Sequence, residues 1–234
     1  MPRRTYDQFC GLALALDIVG ERWTLLIVRE LMSGPKRYSD LAAALDGIGT
    51  SLLASRVKQL EFDGIIARRH LRPPIASTVY ELTAVGRELA RAMIPLALWG
   101  SRHYTEGGRA PTQRFRAEWA LVFLAQLFDP DALRGIDAYY EFHADGSVAH
   151  LHIHDGRADV YSGPGDHPPD ATFTYDSGTL AAIIAGTLSV PDALAQQRIE
   201  ASGNPEAIGQ LLTPLLAALE TIAPKPSSSE QRRE

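Results

Sequence analysis

The sequence predicts two domains of different class: a mainly α winged helix-turn-helix domain, then an α+β domain with an antiparallel sheet and helices on one face. Three observations carry this. Helix-period apolar stripes fill residues 11–62, and two β-branched runs follow within 65–83. Past "TEGGRAPTQ" (Thr105–Gln113), which collects Gly and Pro, the pattern becomes short alternating runs separated by turn residues. The charge changes there too: residues 1–106 hold 14 Lys+Arg and 11 Asp+Glu, whereas 107–234 hold 9 and 17. We therefore divide the chain into a first domain 1–106, a linker 107–113, a second domain 114–222 and a disordered Pro/Ser-rich tail 223–234.

In the first domain, residues 11–19 (GLALALDIV) and 22–32 (RWTLLIVRELM) read as helices. The second stops at Ser33-Gly34-Pro35, where Gly34 suits a left-handed cap and Pro35 cannot continue the helix. Ser39 is placed to cap a short helix, Asp40–Leu45. The turn Asp46–Gly49 leads into a helix over 50–62 that ends at Asp63-Gly64. "IIARRHL" and "STVYELT", separated by "RPPIA", make a hairpin with a Pro-stiffened tip. Thr83 caps a long helix, Ala84–Tyr104, with Pro95 inside it and Trp99 on its apolar stripe. Trp23 and Trp99 are expected in the core.

Helix 50–62 has two faces. Leu53, Val57 and Leu60 form one stripe, flanked by Leu52. Ser51, Ser55 and Lys58 repeat the same spacing shifted by two residues, about 200° away at about 100° per residue. Arg56 and Gln59 border that face, and Thr50, at the start of the helix, is counted with it among the DNA-contact candidates. By itself such a face is ordinarily just solvated. Its context is a capped helix, a Gly turn, this helix and a basic hairpin, and that order gives it a DNA groove to meet. Lys and Arg read guanine edges or phosphates, and Ser bonds to either. Arg68 and Arg69 point to opposite faces of the hairpin, and Arg72, beside its tip, is the candidate for the neighbouring minor groove. Arg37 and Ser39 sit at a helix N-terminus, a natural phosphate contact.

Residues about 10–104 resemble the HxlR family of bacterial winged-helix regulators, through Cys10, "GERWTLLIVRELMSGPKRYSDL" (20–41), "GIGTSLLASRVKQLEFDGII" (47–66) and "YELTAVGREL" (80–89) leading to "LWG" (98–100). The resemblance implies a homodimer built through helices 11–19 and 84–104, with recognition helices in successive major grooves of an inverted-repeat operator. It also implies that Cys10 could serve as a thiol sensor. That role needs an exposed thiol near positive charge. Arg3 and Arg4 are close in sequence, but Cys10 lies in an apolar segment, so a buried structural thiol is expected.

In the second domain, residues 114–128 (RFRAEWALVFLAQLF) read as an apolar helix. Strands follow at 138–142, 148–154, 158–162 and 171–176, laid out as an antiparallel meander. Helices recur at 177–186 and 190–196; a short strand, 198–202, leads to a last helix, 205–222. "DGRADVYSG" (155–163) and "DATFTYDSGTLAAIIAGTLSVPDALAQQRIEASGNPEAIGQLL" (170–212) resemble the sterol-carrier-protein type 2-like domain. The resemblance implies a pocket for an apolar effector lined by Trp119, Phe123, Leu127, Tyr140, Phe142, Phe173, Ile183 and Ile184. His150, His152 and His154 alternate with Leu151 and Ile153, so they are expected to face water rather than hold a metal.

The lone cysteine excludes an internal disulfide and a multi-cysteine zinc site. No G-x-S-x-G, P-loop or dinucleotide fingerprint is present. No apolar run reaches the roughly 18 residues that span a bilayer. The expectation is a cytoplasmic regulator, a repressor by preference, with no enzymatic activity, no cofactor and no membrane partner. Its expected partners are double-stranded operator DNA, a second copy of itself and an apolar small molecule. Two alternatives stand beside it: a redox regulator acting through Cys10, and a lipid- or metabolite-binding protein whose winged domain makes only protein contacts.

Overall fold

The computed structural model describes residues 5–72, 76–104, 109, 110 and 112–222. Arg3, Arg4, the hairpin tip at 73–75, linker residues 107, 108 and 111, and the tail 223–234 lie outside the described residues. The chain forms two compact units, Met1–Met93 and Ile94–Glu234, with the division inside one long helix.

The first unit runs α1 (Gly11–Val19), α2 (Thr24–Met32), β1 (Lys36–Arg37), α3 (Tyr38–Ala44), α4 (Thr50–Phe62), β2 (Ile66–His70) and β3 (Thr78–Leu82), then enters α5 (Ala84–Tyr104). α2 ends as expected, with Gly34 at φ +95° ahead of Pro35. α3 begins two residues earlier than expected. Its cap is not Ser39: the Asp40 carboxylate accepts the Arg37 N–H at 2.9 Å, and the Ser39 hydroxyl leans on Asp40 instead. Ile27, Val28, Leu41, Leu53, Leu60 and Ile66 are almost completely buried and make the core. The sheet has the order β1-β3-β2, all antiparallel. β1 was not expected, because a two-residue strand has no alternation to read.

Thr83 caps α5 as its position predicts. Its Oγ1 accepts the Gly86 N–H at 3.1 Å and donates to the Gly64 carbonyl at 2.6 Å. Gly86 permits a close crossing: a Cβ there would fall 2.1 Å from the Ile65 carbonyl oxygen. Trp99 is 51% exposed rather than core, and Trp23 is half-buried in a left-handed conformation with φ +80°.

The second unit contains α6 (Glu118–Leu124), a 3₁₀ turn (Ala125–Leu127), β4 (Ala138–Ala144), β5 (Ser147–His154), β6 (Arg157–Ser162), β7 (Ala171–Tyr175), α7 (Ser177–Ala185), α8 (Val190–Ala195), β8 (Ile199–Gly203) and α9 (Pro205–Ile222). α6 is shorter than the expected 114–128. The sheet order is β6-β5-β4-β7-β8. Three strand pairs are antiparallel as expected, but β7 runs parallel to β4, so the sheet is mixed. The cause lies in residues 163–170. After β6 the chain does not turn back; it crosses over to the far side of β4, where the Asp170 N–H donates to the Tyr139 carbonyl at 2.7 Å and Asp170 Oδ2 accepts the Tyr139 N–H at 2.8 Å. Tyr140, Phe142, Leu151, Ile153 and Phe173 fill the buried face of the sheet. α9 lies against that face: the Tyr140 hydroxyl donates to the Ala207 carbonyl at 3.1 Å.

Candidate nucleic-acid interface

The two faces of α4 separate as the sequence predicts. Leu53, Val57 and Leu60 are buried, whereas Thr50, Ser51, Ala54, Ser55 and Lys58 are exposed. No carboxylate lies on α4 before Glu61. The start of the helix is held from α3, because the Tyr38 hydroxyl donates to the Thr50 carbonyl at 2.8 Å. Leu52 and Phe62 are exposed beside this face, Phe62 at 85%. The surface is thus small hydroxyls, one lysine and apolar patches on a rigid helix, a chemistry suited to base edges, thymine methyls and phosphates.

The surrounding cations divide into two groups. Arg37, Lys58 and Arg72 are exposed, and no carboxylate ion pair holds them among the described residues. Arg56, Arg68 and Arg69 are each drawn to a glutamate. Arg56 Nη2 lies 2.7 Å from Glu21 Oε2, and only 21% of its side chain is exposed. Both Nε and Nη2 of Arg69 lie 2.9 Å from Glu81 Oε2. Arg68 Nε lies 3.9 Å from Glu61. Ser39 is exposed at the start of α3, and His70 is bonded to Thr78 across the hairpin. Sequence reasoning put Arg56 on the helix and Arg68 and Arg69 on the hairpin, where the structure has them, but missed their partners. The register of the hairpin, with Arg69 opposite Val79 and Ala67 opposite Glu81, was the signal that could have found Glu81.

Cys10 corrects the expectation of a buried thiol. It is exposed at the start of α1. The N–H groups of Ala13 and Leu12 hold its thiol below the ordinary value.

The second unit holds an apolar crevice of about 260 Å³, including its open mouth, lined by Leu121, Leu124, Ala125, Phe128, Phe142, Leu151, Leu211 and Leu215. Of the expected lining only Phe142 takes part. Trp119, Phe123 and Leu127 lie on the other side of the helical segment, each half-buried. Tyr140 is fully buried; desolvation, then the nearby Asp170 carboxylate, pushes its phenol up to about 12. Phe173 stacks on Phe142 with ring centroids 5.4 Å apart, and Ile183 and Ile184 sit half-buried on α7. The space enclosed within it is only about 20 Å³, far below the roughly 300–1,000 Å³ of usual small-molecule sites.

The histidines are less solvated than expected, because residues 163–170 cross their face of the sheet. His150 Nδ1 is 2.9 Å from the Gly163 carbonyl oxygen, and His167 lies against Tyr139. His152 stacks on Tyr139 and on His154, with centroids 3.9 and 4.3 Å apart. His154 is held toward its protonated form, chiefly by Asp159 at 2.9 Å, against partial desolvation. Among the described residues no cluster of His, Cys, Asp and Glu is arranged to hold a metal ion.

Comparison with known proteins bears on both units. The HxlR-like helix-turn-helix family model matches residues 18–107, and the SCP-2 sterol transfer family model matches residues 123–215. The HTH-type transcriptional regulator YvaP of Bacillus subtilis is 33% identical over 87 residues, covering 37% of this chain and 81% of YvaP. The HTH-type transcriptional regulator sll1512 of Synechocystis sp. is 39% identical over 93 residues, covering 39% of this chain and 68% of sll1512. Among solved structures, the reduced form of the transcriptional regulator YodB from B. subtilis is similar at 30% identity. That match spans 44% of this chain and 100% of YodB, with a TM-score of 0.38. No helix among the described residues is long and apolar enough to cross a membrane.

Proposed function

The chain belongs to the HxlR-like helix-turn-helix family of transcriptional regulators, and we propose that it is a repressor that binds an inverted-repeat operator as a homodimer and is tuned by an apolar small molecule in its second unit. The observation that carries DNA binding is α4, anchored by buried Leu53, Val57 and Leu60 while Ser51, Ser55 and Lys58 stay free on its outer side. A dimer would set two such helices about 34 Å apart, one turn of the duplex. Within the first unit, exposed apolar side chains offer a surface for it: Leu12 and Leu16, one turn apart on α1, and Val85 on α5. On this reading the protein works in the cytoplasm and catalyses no reaction.

The effector half of the proposal rests on the sterol-transfer family match and on the apolar lining of the crevice. A ligand changes operator affinity only through unequal affinity for the free and DNA-bound forms. Mobility shifts on promoter duplexes across a salt series test the first half; salt-independent or absent binding favours a protein-contact role for the winged unit. Titrating long-chain acids and other apolar compounds into the same assay tests the second. A compound that binds the second unit without changing the shift counts against it.

One observation favours a second input. Cys10 is exposed and its thiol is held low. Release of DNA by peroxide or quinone that disappears in Cys10→Ser would assign the signal to this thiol; undiminished release in that variant would exclude it.

A further inference from the structure

We infer that Glu21 and Glu81, with Glu61 as a weaker third, determine the specificity of the DNA surface by withholding Arg56, Arg69 and Arg68 from phosphate. The inference rests on the DNA-binding reading above.

These three arginines are cations of the candidate interface that the fold ties down, and each is tied by a carboxylate from a different part of the chain. Glu21 stands in the corner between α1 and α2, 35 residues before Arg56. Glu81 reaches Arg69 diagonally across the β2–β3 ladder. Glu61 comes from the last turn of α4 to Arg68 on β2. Ion pairs with a solvent-exposed partner, as each of these has, add little to folding stability. Arg56 even leaves its Nε buried without a hydrogen-bond partner, so the contact to Glu21 costs the side chain a donor. The pairing therefore has little to recommend it as a staple.

Its consequence for DNA is larger. Non-specific affinity comes almost wholly from cations that displace counterions from phosphate. An arginine already neutralised by a glutamate contributes little to that term. Ser51, Ser55 and Lys58, the groups placed to read bases, have no such partner among the described residues. Muting the arginines thus lowers affinity for any duplex while leaving base readout intact, which raises the ratio of specific to non-specific binding.

The test uses the full chain with Glu21→Gln, Glu81→Gln and Glu61→Gln, each measured on a random-sequence duplex and on a duplex selected from a random pool by the wild-type protein. Glu21→Gln and Glu81→Gln should each tighten binding to random duplex about threefold and steepen the salt slope by about 0.9. Affinity for the selected duplex should rise less, so the specificity ratio falls. Glu61→Gln should show the smallest change. Glu200→Gln, an exposed acid on β8, should leave both affinities as they are. In Glu21→Gln/Arg56→Gln the gain should vanish relative to Arg56→Gln alone. Variants with wild-type melting temperature and unchanged random-duplex binding overturn the inference while the DNA-binding reading stands. So does an unchanged specificity ratio, or a gain that persists without Arg56. A wild-type protein that binds no duplex at low salt overturns both.

Discussion

The two units present their candidate sites in opposite ways. α4 carries its side chains outward on a helix whose inner leucines are fixed, so the surface exists before any partner arrives. The crevice between α6, the sheet and α9 is nearly filled by its own walls, and Tyr140, expected to line it, is instead buried in the core with its hydroxyl donated to the Ala207 carbonyl. A preformed site needs only charge and shape complementarity. A closed one must separate packed apolar groups first, and a ligand there changes the packing of the unit that holds it. On the function proposed above, the first unit would give the output and the second would take the input.

The strongest way to break the comparison is to remove the anchor of α4. Leu53→Ala empties a fully buried site and should lower the stability of the first unit by about 2–5 kcal/mol. Denaturant melts should show it, together with loss of the duplex shift. A melt like wild type would show that the helix is not held from within. Next in size, Lys58→Ala should cost about 1–3 kcal/mol of operator binding if the lysine reads a base. Arg72→Ala should act through phosphate alone, weakening all sequences evenly and flattening the salt slope by about one unit. Wild-type affinity in both would remove α4 and the hairpin from the interface.

A smaller change sharpens the other side. Leu121→Trp adds bulk to the crevice wall. It should abolish the response to an apolar effector while operator affinity without effector stays within about twofold; a retained response places the effector elsewhere. The smallest effect concerns pH. Asp159 raises the His154 pKa above its ordinary 6.5. A raised folded-state pKa gives stability that is fully present below the unfolded value, about 6.5, and fades as pH climbs through the folded value. The second unit should therefore lose a little melting temperature between pH 6 and 8, and Asp159→Asn should flatten that slope. Equal slopes would mean the pair is of no consequence for folding.

Much of the first unit was legible because its signals are local. Leu53, Val57 and Leu60 declare a helix face, Gly34-Pro35 declares its predecessor's end, and Thr83 declares the start of α5. What escaped was non-local. β1 exists only because β3 offers Lys36 and Arg37 an edge. Arg56 turns toward Glu21 through tertiary placement that no spacing rule encodes. In the second unit the strands were readable from their alternation, but their order was not, since β7 chooses β4 only after the chain has crossed the sheet. The stripe of α6 that faces the crevice was misjudged for a related reason. Leu121 and Leu124 were as apolar as Trp119 and Phe123, and the sheet decided which of them to cover.

The parallel β4–β7 pair has a bearing on how the second unit comes into being. β4, β5 and β6 can assemble hairpin by hairpin as they leave the ribosome, yet their sheet then ends at β4 with a rim of unsatisfied main-chain donors and acceptors. Only the later arrival of β7 seals that rim, by a contact distant in sequence and hence slow to form. A chain truncated after Ser162 would keep that rim open and should self-associate through it, whereas one ending at Ile222 would not.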